Sequence, residues 1–158
     1  MEQSNQFKIT QGTDRVILEI VGYINEDTNF KSLQLGNPNR LEINLNQVRS
    51  INSCGIREWI KWLSQYSQSQ ILLSFVPKII VDQINMVQGF LPPNGKVISF
   101  YVPYYSEESG EEKNVLLTYG KDFDEQNLKL PTDVKDQNGN IMELDVIESK
   151  YFKFLNRK

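Results

Sequence analysis

Residues 40–60, RLEINLNQVRSINSCGIREWI, decide the fold. Leu41, Ile43 and Leu45 alternate with polar residues, the period of a strand with one buried face. Ile56, Trp59, Ile60 and Leu63 then recur at helical spacing, with Arg57, Glu58 and Lys61 turned elsewhere and Trp62 partly off the stripe. Strand and helix are joined by Asn52-Ser53-Cys54-Gly55. Asn52 or Ser53 can accept hydrogen bonds from the first free N–H groups of the helix, a cap worth about 1 kcal/mol. Gly55 lets the backbone enter the helix in close contact with its surroundings. The same turn is also a candidate thiol site, phosphorylation switch or docking surface.

Working outward, RVILEIVGYI (15–24) is β-rich, and FKIT (7–10) can pair with it as a hairpin across QGTD. A short helix is expected near Thr28 to Leu33. Downstream, ILLSFV (71–76) reads as a strand buried on both sides, and KVISFYV (96–102) as a further strand. Between them Ile79, Ile80, Gln83, Ile84 and Val87 predict a second helix, ended by Gly89 and Pro92-Pro93. The order β-β-(short helix)-β-α-β-α-β implies an α/β fold, a mixed sheet with helices packed against it.

From Pro103 the chain becomes polar and turn-rich, with short β-like pieces at Val115 to Thr118 and Ile141 to Val146. ESKYFKFL then repeats Tyr151, Phe152, Phe154 and Leu155 as a short docked helix would. The expected division is 1–103 and a small β-rich extension, 104–158.

Composition excludes several function classes. The net charge of −3 and pI ≈ 5.1 argue against nucleic acid as a partner. The start, MEQSNQFKIT, has no basic stretch before an apolar run, and no segment approaches the roughly 18 apolar residues of a membrane span. A cytoplasmic protein with no membrane partner is expected. There is no histidine, so Ser/His or Cys/His nucleophile systems and His-ligated metals are excluded. The single cysteine, Cys54, cannot build a disulfide framework. At a helix N-terminus its thiol is a candidate nucleophile, and a small half-buried cysteine is the plainer reading. Asp122, Asp124 and Glu125 lack the spacing of a calcium loop and read as a solvated face. No phosphate-cradling glycine motif occurs.

LEINLNQVRSINSCGIREWIKWL resembles the STAS domain, the family of bacterial anti-sigma factor antagonists, stressosome scaffolds and cytoplasmic domains of sulfate transporters. There a strand leads through "i-D-S-S-G" into a helix, and the element order from Phe7 to Val102 is similar to the family's. The resemblance implies a non-enzymatic signalling or scaffold domain without a cofactor. Its partner would be a protein, such as an anti-sigma factor of the kinase-like type or another signalling protein, bound around Asn52, Ser53, Cys54, Gly55, Arg57 and Glu58. In the family the phosphorylated Ser directly precedes the Gly. Here that position is Cys54, and the family's Asp is Asn52, so the usual acceptor is missing and only the displaced Ser53 could be phosphorylated.

PYYSEESGEEKNVLL (103–117) followed by VKDQNGNIMELDV (134–146) resembles a zinc ribbon that has lost its C-x-x-C knuckles. Ser106 and Ser109 stand at one pair of positions, Lys135 and Asn138 at the other. None is a soft ligand, so the resemblance implies a metal-free relic held by Tyr104, Tyr105, Val115, Leu117 and Met142; ordinary glycine turns are the alternative. A small-molecule sensor, and an interaction module working through the extension, are the remaining functional expectations.

Overall fold

A computed structural model describes residues 6–156, so part of the N-terminal stretch read above lies outside the described residues. The chain forms a mixed sheet with helices packed against it, the α/β fold expected. Strands β1 (Phe7–Gln11) and β2 (Arg15–Ile24) form the hairpin, closed by the Gly12 N–H donating to the Arg15 carbonyl at 2.7 Å. After a 3-10 turn at Phe30–Ser32 come β3 (Arg40–Ile51), helix α1 (Ser53–Leu63), β4 (Gln70–Ser74), helix α2 (Lys78–Met86) and β5 (Gly95–Val97). These five strands lie side by side in sequence order; β1 is antiparallel to β2, and β2, β3, β4 and β5 run parallel.

β3 extends well beyond the expected LEINL. Its polar second half, Asn46 to Ile51, still pairs with β2, and an exposed position in a ladder needs no apolar side chain. The β2–β3 register shifts twice, between Glu19 and Val21 and between Gly22 and Tyr23. Gly22 takes φ +91°, a backbone conformation that suits glycine. These bulges bring Ile24 opposite Ile51, level with the start of α1.

KVISFYV is two strands. Ile98 separates β5 from β6 (Ser99–Tyr105), which pairs with β7 (Glu112–Thr118) on one side and β8 (Glu143–Leu144) on the other in a second, antiparallel sheet. Residue 103 therefore lies inside β6. The chain ends in a short helix α3 (Glu148–Tyr151) and a 3-10 turn at Lys153–Asn156. Leu18, Leu41, Trp59, Ile71, Phe100, Leu117, Met142 and Tyr151 belong to one continuous buried cluster spanning both sheets. Phe100 bridges to Val76, just after β4, and its ring meets Phe123, Phe152 and Phe154 edge-on at 5.2, 6.1 and 5.0 Å. Trp62, expected off the buried stripe, is buried, whereas Ile56 and Ile60 are only half-buried. The 3-10 turn at Phe30 covers that side of α1 and shifts its buried face toward Trp62. No helix among the described residues is long and apolar enough to cross a membrane.

Candidate functional site

Because β2 and β3 are parallel neighbours, their C-terminal ends sit together, and the connection after each opens at the same edge of the sheet. The connection after β3 is the Asn-Ser-Cys-Gly turn. Asn52 is the cap: its Oδ1 accepts the Gly55 N–H at 2.8 Å, and its extended backbone places the carbonyl to receive the Ile56 N–H at 2.9 Å. Its Nδ2 donates to Glu26 Oε1 at 2.9 Å, tying the two connections together. Ser53, the other capping candidate, is the first residue of α1; its side chain is exposed.

Gly55 is buried against the end of β2. A Cβ there would lie 2.3 Å from the Ile24 carbonyl oxygen and 2.7 Å from its carbon. Glycine is therefore required by close approach of helix to strand rather than by an unusual φ. The helix is then held by Trp59, fully buried, stacked on Phe90 at 5.2 Å and donating its Nε1–H to the Phe90 carbonyl at 3.0 Å.

The connection after β2 folds on its own side chains. Asn25 Oδ1 accepts the Asp27 N–H at 2.8 Å, while buried Thr28 Oγ1 accepts the Asn25 N–H at 2.9 Å and donates to the Tyr23 carbonyl at 3.2 Å. Phe30 then anchors the segment by stacking on Trp62 at 4.8 Å. Between this loop and the first turns of α1 lies a concavity of about 530 Å³, lined by residues 26–31 together with Cys54, Arg57 and Glu58. Cys54, Arg57 and Glu58 thus converge on one surface; Asn52 and Gly55 support it from behind, and Ser53 lies exposed at the start of the same helix. The loop residues Glu26, Asp27, Thr28, Phe30 and Lys31 were not foreseen. The parallel pairing of β2 with β3 is the signal that finds them, since it forces these two loops together.

The lining mixes Glu26, Asp27 and Glu58 with Lys31 and Arg57. Glu26 is held below the usual carboxylate range, chiefly by the Asn52 side-chain amide and then by its own backbone N–H. Cys54 is half-buried, and no side-chain hydrogen bond reaches its sulfur among the described residues. The surface suits reading a complementary set of charges and hydrogen bonds.

The other positions singled out by sequence lie elsewhere. Asp122 and Asp124 fix turns: Asp122 Oδ2 accepts the Thr118 N–H at 2.8 Å, and Asp124 Oδ1 accepts the N–H groups of Gln126 and Asn127 at 2.9 and 2.8 Å. Those two backbone donors hold the Asp124 carboxyl below its ordinary value. Glu125 accepts the Tyr119 hydroxyl and pairs with Lys96 at 3.2 Å, which together with its own backbone N–H lowers its pKa. Of the four ribbon positions, Ser106 is buried, but Lys135 and Asn138 are exposed; the side chain the second turn buries is Asp136, one residue beyond Lys135. Tyr104, Leu117 and Met142 are buried as expected of hairpin residues, while Tyr105 and Val115 are half-buried. Among the described residues no group of three or more His, Cys, Asp or Glu side chains gathers as a metal site would require.

A scan against protein-family models gives no match for this chain, and a comparison with curated proteins gives none.

Proposed function

We propose that this chain is a non-enzymatic, STAS-like regulatory or scaffold protein of the bacterial cytoplasm that docks a signalling protein at the edge formed by the ends of β2 and β3 and the start of α1. The observation that carries the reading is the concavity joining residues 26–31 to Cys54, Arg57 and Glu58. Mixed charges on such a rim set the orientation of a protein partner and reject mismatched ones. The strand order, with one antiparallel hairpin strand followed by parallel strands, agrees with the resemblance carried by INSCG. With Cys54 at the usual acceptor position, the docking is not switched by conventional serine phosphorylation.

Ser53→Glu tests this. The side chain is exposed and a carboxylate in the first helical turn is electrostatically favourable, so the melting temperature stays within about 2 °C of wild type. Partner affinity, measured by calorimetry on the partner captured from the native host, falls by about tenfold or more, because bulk and charge must be desolvated. Glu112→Lys, at an exposed position of β7, leaves affinity unchanged. Loss in Glu112→Lys with none in Ser53→Glu moves the interface to the extension.

A second reading, small-molecule sensing, is favoured by a separate cleft of about 460 Å³ between β5 and the extension. Leu91, Val97, Phe123 and Phe154 line it with apolar surface, and at its mouth the Lys96 ammonium sits 3.5 Å from the centre of the Tyr119 ring. Apolar walls with a few polar groups are what a ligand pocket offers. Saturable shifts of the Val97 and Phe123 amides on titration with a host metabolite extract, lost in Val97→Trp, would support sensing over docking.

A further inference from the structure

The extension carries a buried carboxylate that the docking surface does not use. Asp136 is 6% exposed and faces Ser106, 1% exposed, across two turns of different hairpins. Its Oδ2 accepts the hydroxyl protons of Ser106 at 2.6 Å and Ser109 at 2.7 Å, and an amide proton of Asn140 Nδ2 at 3.0 Å. Its Oδ1 accepts the backbone N–H groups of Asn138 at 2.9 Å and Asn140 at 2.8 Å. The direction of the two hydroxyl protons follows from what else those oxygens do. Ser106 Oγ accepts the Ser109 N–H and Ser109 Oγ accepts the Glu111 N–H, both at 3.2 Å, which leaves each proton free to point at a carboxylate that only accepts.

Each turn is also closed by its own backbone. The Ser106 carbonyl accepts the Gly110 N–H at 2.8 Å, and the Asp136 carbonyl accepts the Gly139 N–H at 3.1 Å; Gly110 and Gly139 take φ +75° and +85°. Two such glycine turns facing each other are the arrangement in which a metal could sit, but the cradle has the wrong polarity for one. Every group aimed at its centre presents a proton, and zinc needs lone pairs from thiolate, imidazole or carboxylate. A cradle of five N–H and O–H donors selects an anion.

We infer that the Asp136 carboxylate fills the centre that two facing knuckles would otherwise offer a metal, closing the extension with an anion-centred clasp independent of metal supply and of thiol redox state. The donors, the Ser106 hydroxyl first, also hold the Asp136 carboxyl far below its ordinary value of 3.8. A depressed folded pKa contributes stability that is fully present above the unfolded value and is lost as pH falls below about 4. The other charged groups of these turns and of β7 are Glu107, Glu108, Glu111, Glu112, Lys113 and Lys135. Glu111 Oε1 accepts the Gln137 N–H at 2.8 Å and Glu111 pairs loosely with Lys113, whose ammonium also reaches the Lys135 carbonyl. Glu111 also bonds the second turn, so it needs its own control.

The test uses the full chain. Asp136→Asn leaves one acceptor and turns an NH2 group on the serine hydroxyls. Its melting temperature should fall by about 5 °C or more at pH 7, and the difference from wild type should shrink as pH drops from 5 to 3. Hydrogen exchange at the Asn138 and Asn140 amides should speed up by about tenfold or more, while Ile43 and Leu45 in β3 stay protected. Ser109→Ala removes a single donor and gives the same local exchange change at smaller size, so the clasp is tested even if Asp136→Asn does not fold. Glu111→Gln keeps the wild-type acid profile. Chelator leaves the wild-type melting temperature unchanged. Wild-type exchange at Asn138 and Asn140 in Ser109→Ala and Asp136→Asn, or stoichiometric zinc in the wild-type protein whose removal lowers the melting temperature, overturns the clasp.

Discussion

Gly55→Ala lowers the melting temperature, although alanine is the better helix former. In an open helix the exchange gains about 1 kcal/mol. Here the added Cβ lands 2.3 Å from the Ile24 carbonyl oxygen, with the Ile24 carbonyl carbon and Cγ2 at 2.7 and 3.0 Å. Backbone cannot rotate away as a side chain can, so α1 must lift off β2 at a cost of about 3 kcal/mol, leaving a net loss of about 2. For a chain of this size that is a drop of about 4–8 °C in a thermal melt. Lifting the first turn also draws Asn52 from Glu26, now 2.9 Å apart, so partner affinity falls beyond what stability alone dictates. A melting temperature equal to or above wild type would mean that α1 does not seat on Ile24 in this way.

Phe30→Ala has the larger effect on stability, about 3–5 kcal/mol for a buried aromatic truncated to a methyl. The ring joins three other aromatics: it stacks on Trp62 at 4.8 Å, meets Trp59 edge-on at 6.4 Å and packs against Phe7 at 6.0 Å. It is also the residue that fastens the loop after β2 over α1, and so forms one wall of the concavity proposed for docking. The chain's two tryptophans are both in contact with it, which makes intrinsic emission a direct reading of the loss. Emission shifts to the red, the melting temperature drops and partner binding is lost. Phe30→Leu, which keeps most of the apolar volume, recovers most of the stability. Unchanged stability in Phe30→Ala would place the 26–31 loop away from α1 and remove the concavity on which the docking proposal rests.

Local chemistry was legible wherever a residue's role depends on its neighbours in sequence. The alternation Leu41-Ile43-Leu45, a polar cap at Asn52 or Ser53 and the QGTD hairpin turn are each governed by a few adjacent residues, and each is found in the structure, with Asn52 as the cap. So are α1, α2 and the succession of the first four strands along the chain, because helical and strand periods leave distinct marks on where apolar residues fall. The absence of histidine, by itself, removes whole classes of catalysis.

Three features needed the tertiary structure. The run KVISFYV has one continuous β period, yet it serves two sheets; nothing local marks Ile98 as the change, because the partners on either side are β4 and β7, far apart in sequence. The wall of the concavity made by Glu26 to Lys31 depends on β2 and β3 being parallel neighbours, a pairing that sequence order alone does not impose. Asp136 looked like one acid among many in a polar tail, and the spacing of the ribbon drew attention to Lys135 instead. Which residue of that turn faces inward is decided by the pairing of Lys135 with Ile141 and by the Ser106 and Ser109 hydroxyls across the gap. Sequence determined the helices, the first four strands and the lack of any imidazole, since those follow from short-range periodicity and composition; the tertiary structure alone decided which surfaces and buried charges come together, since that follows from long-range pairing.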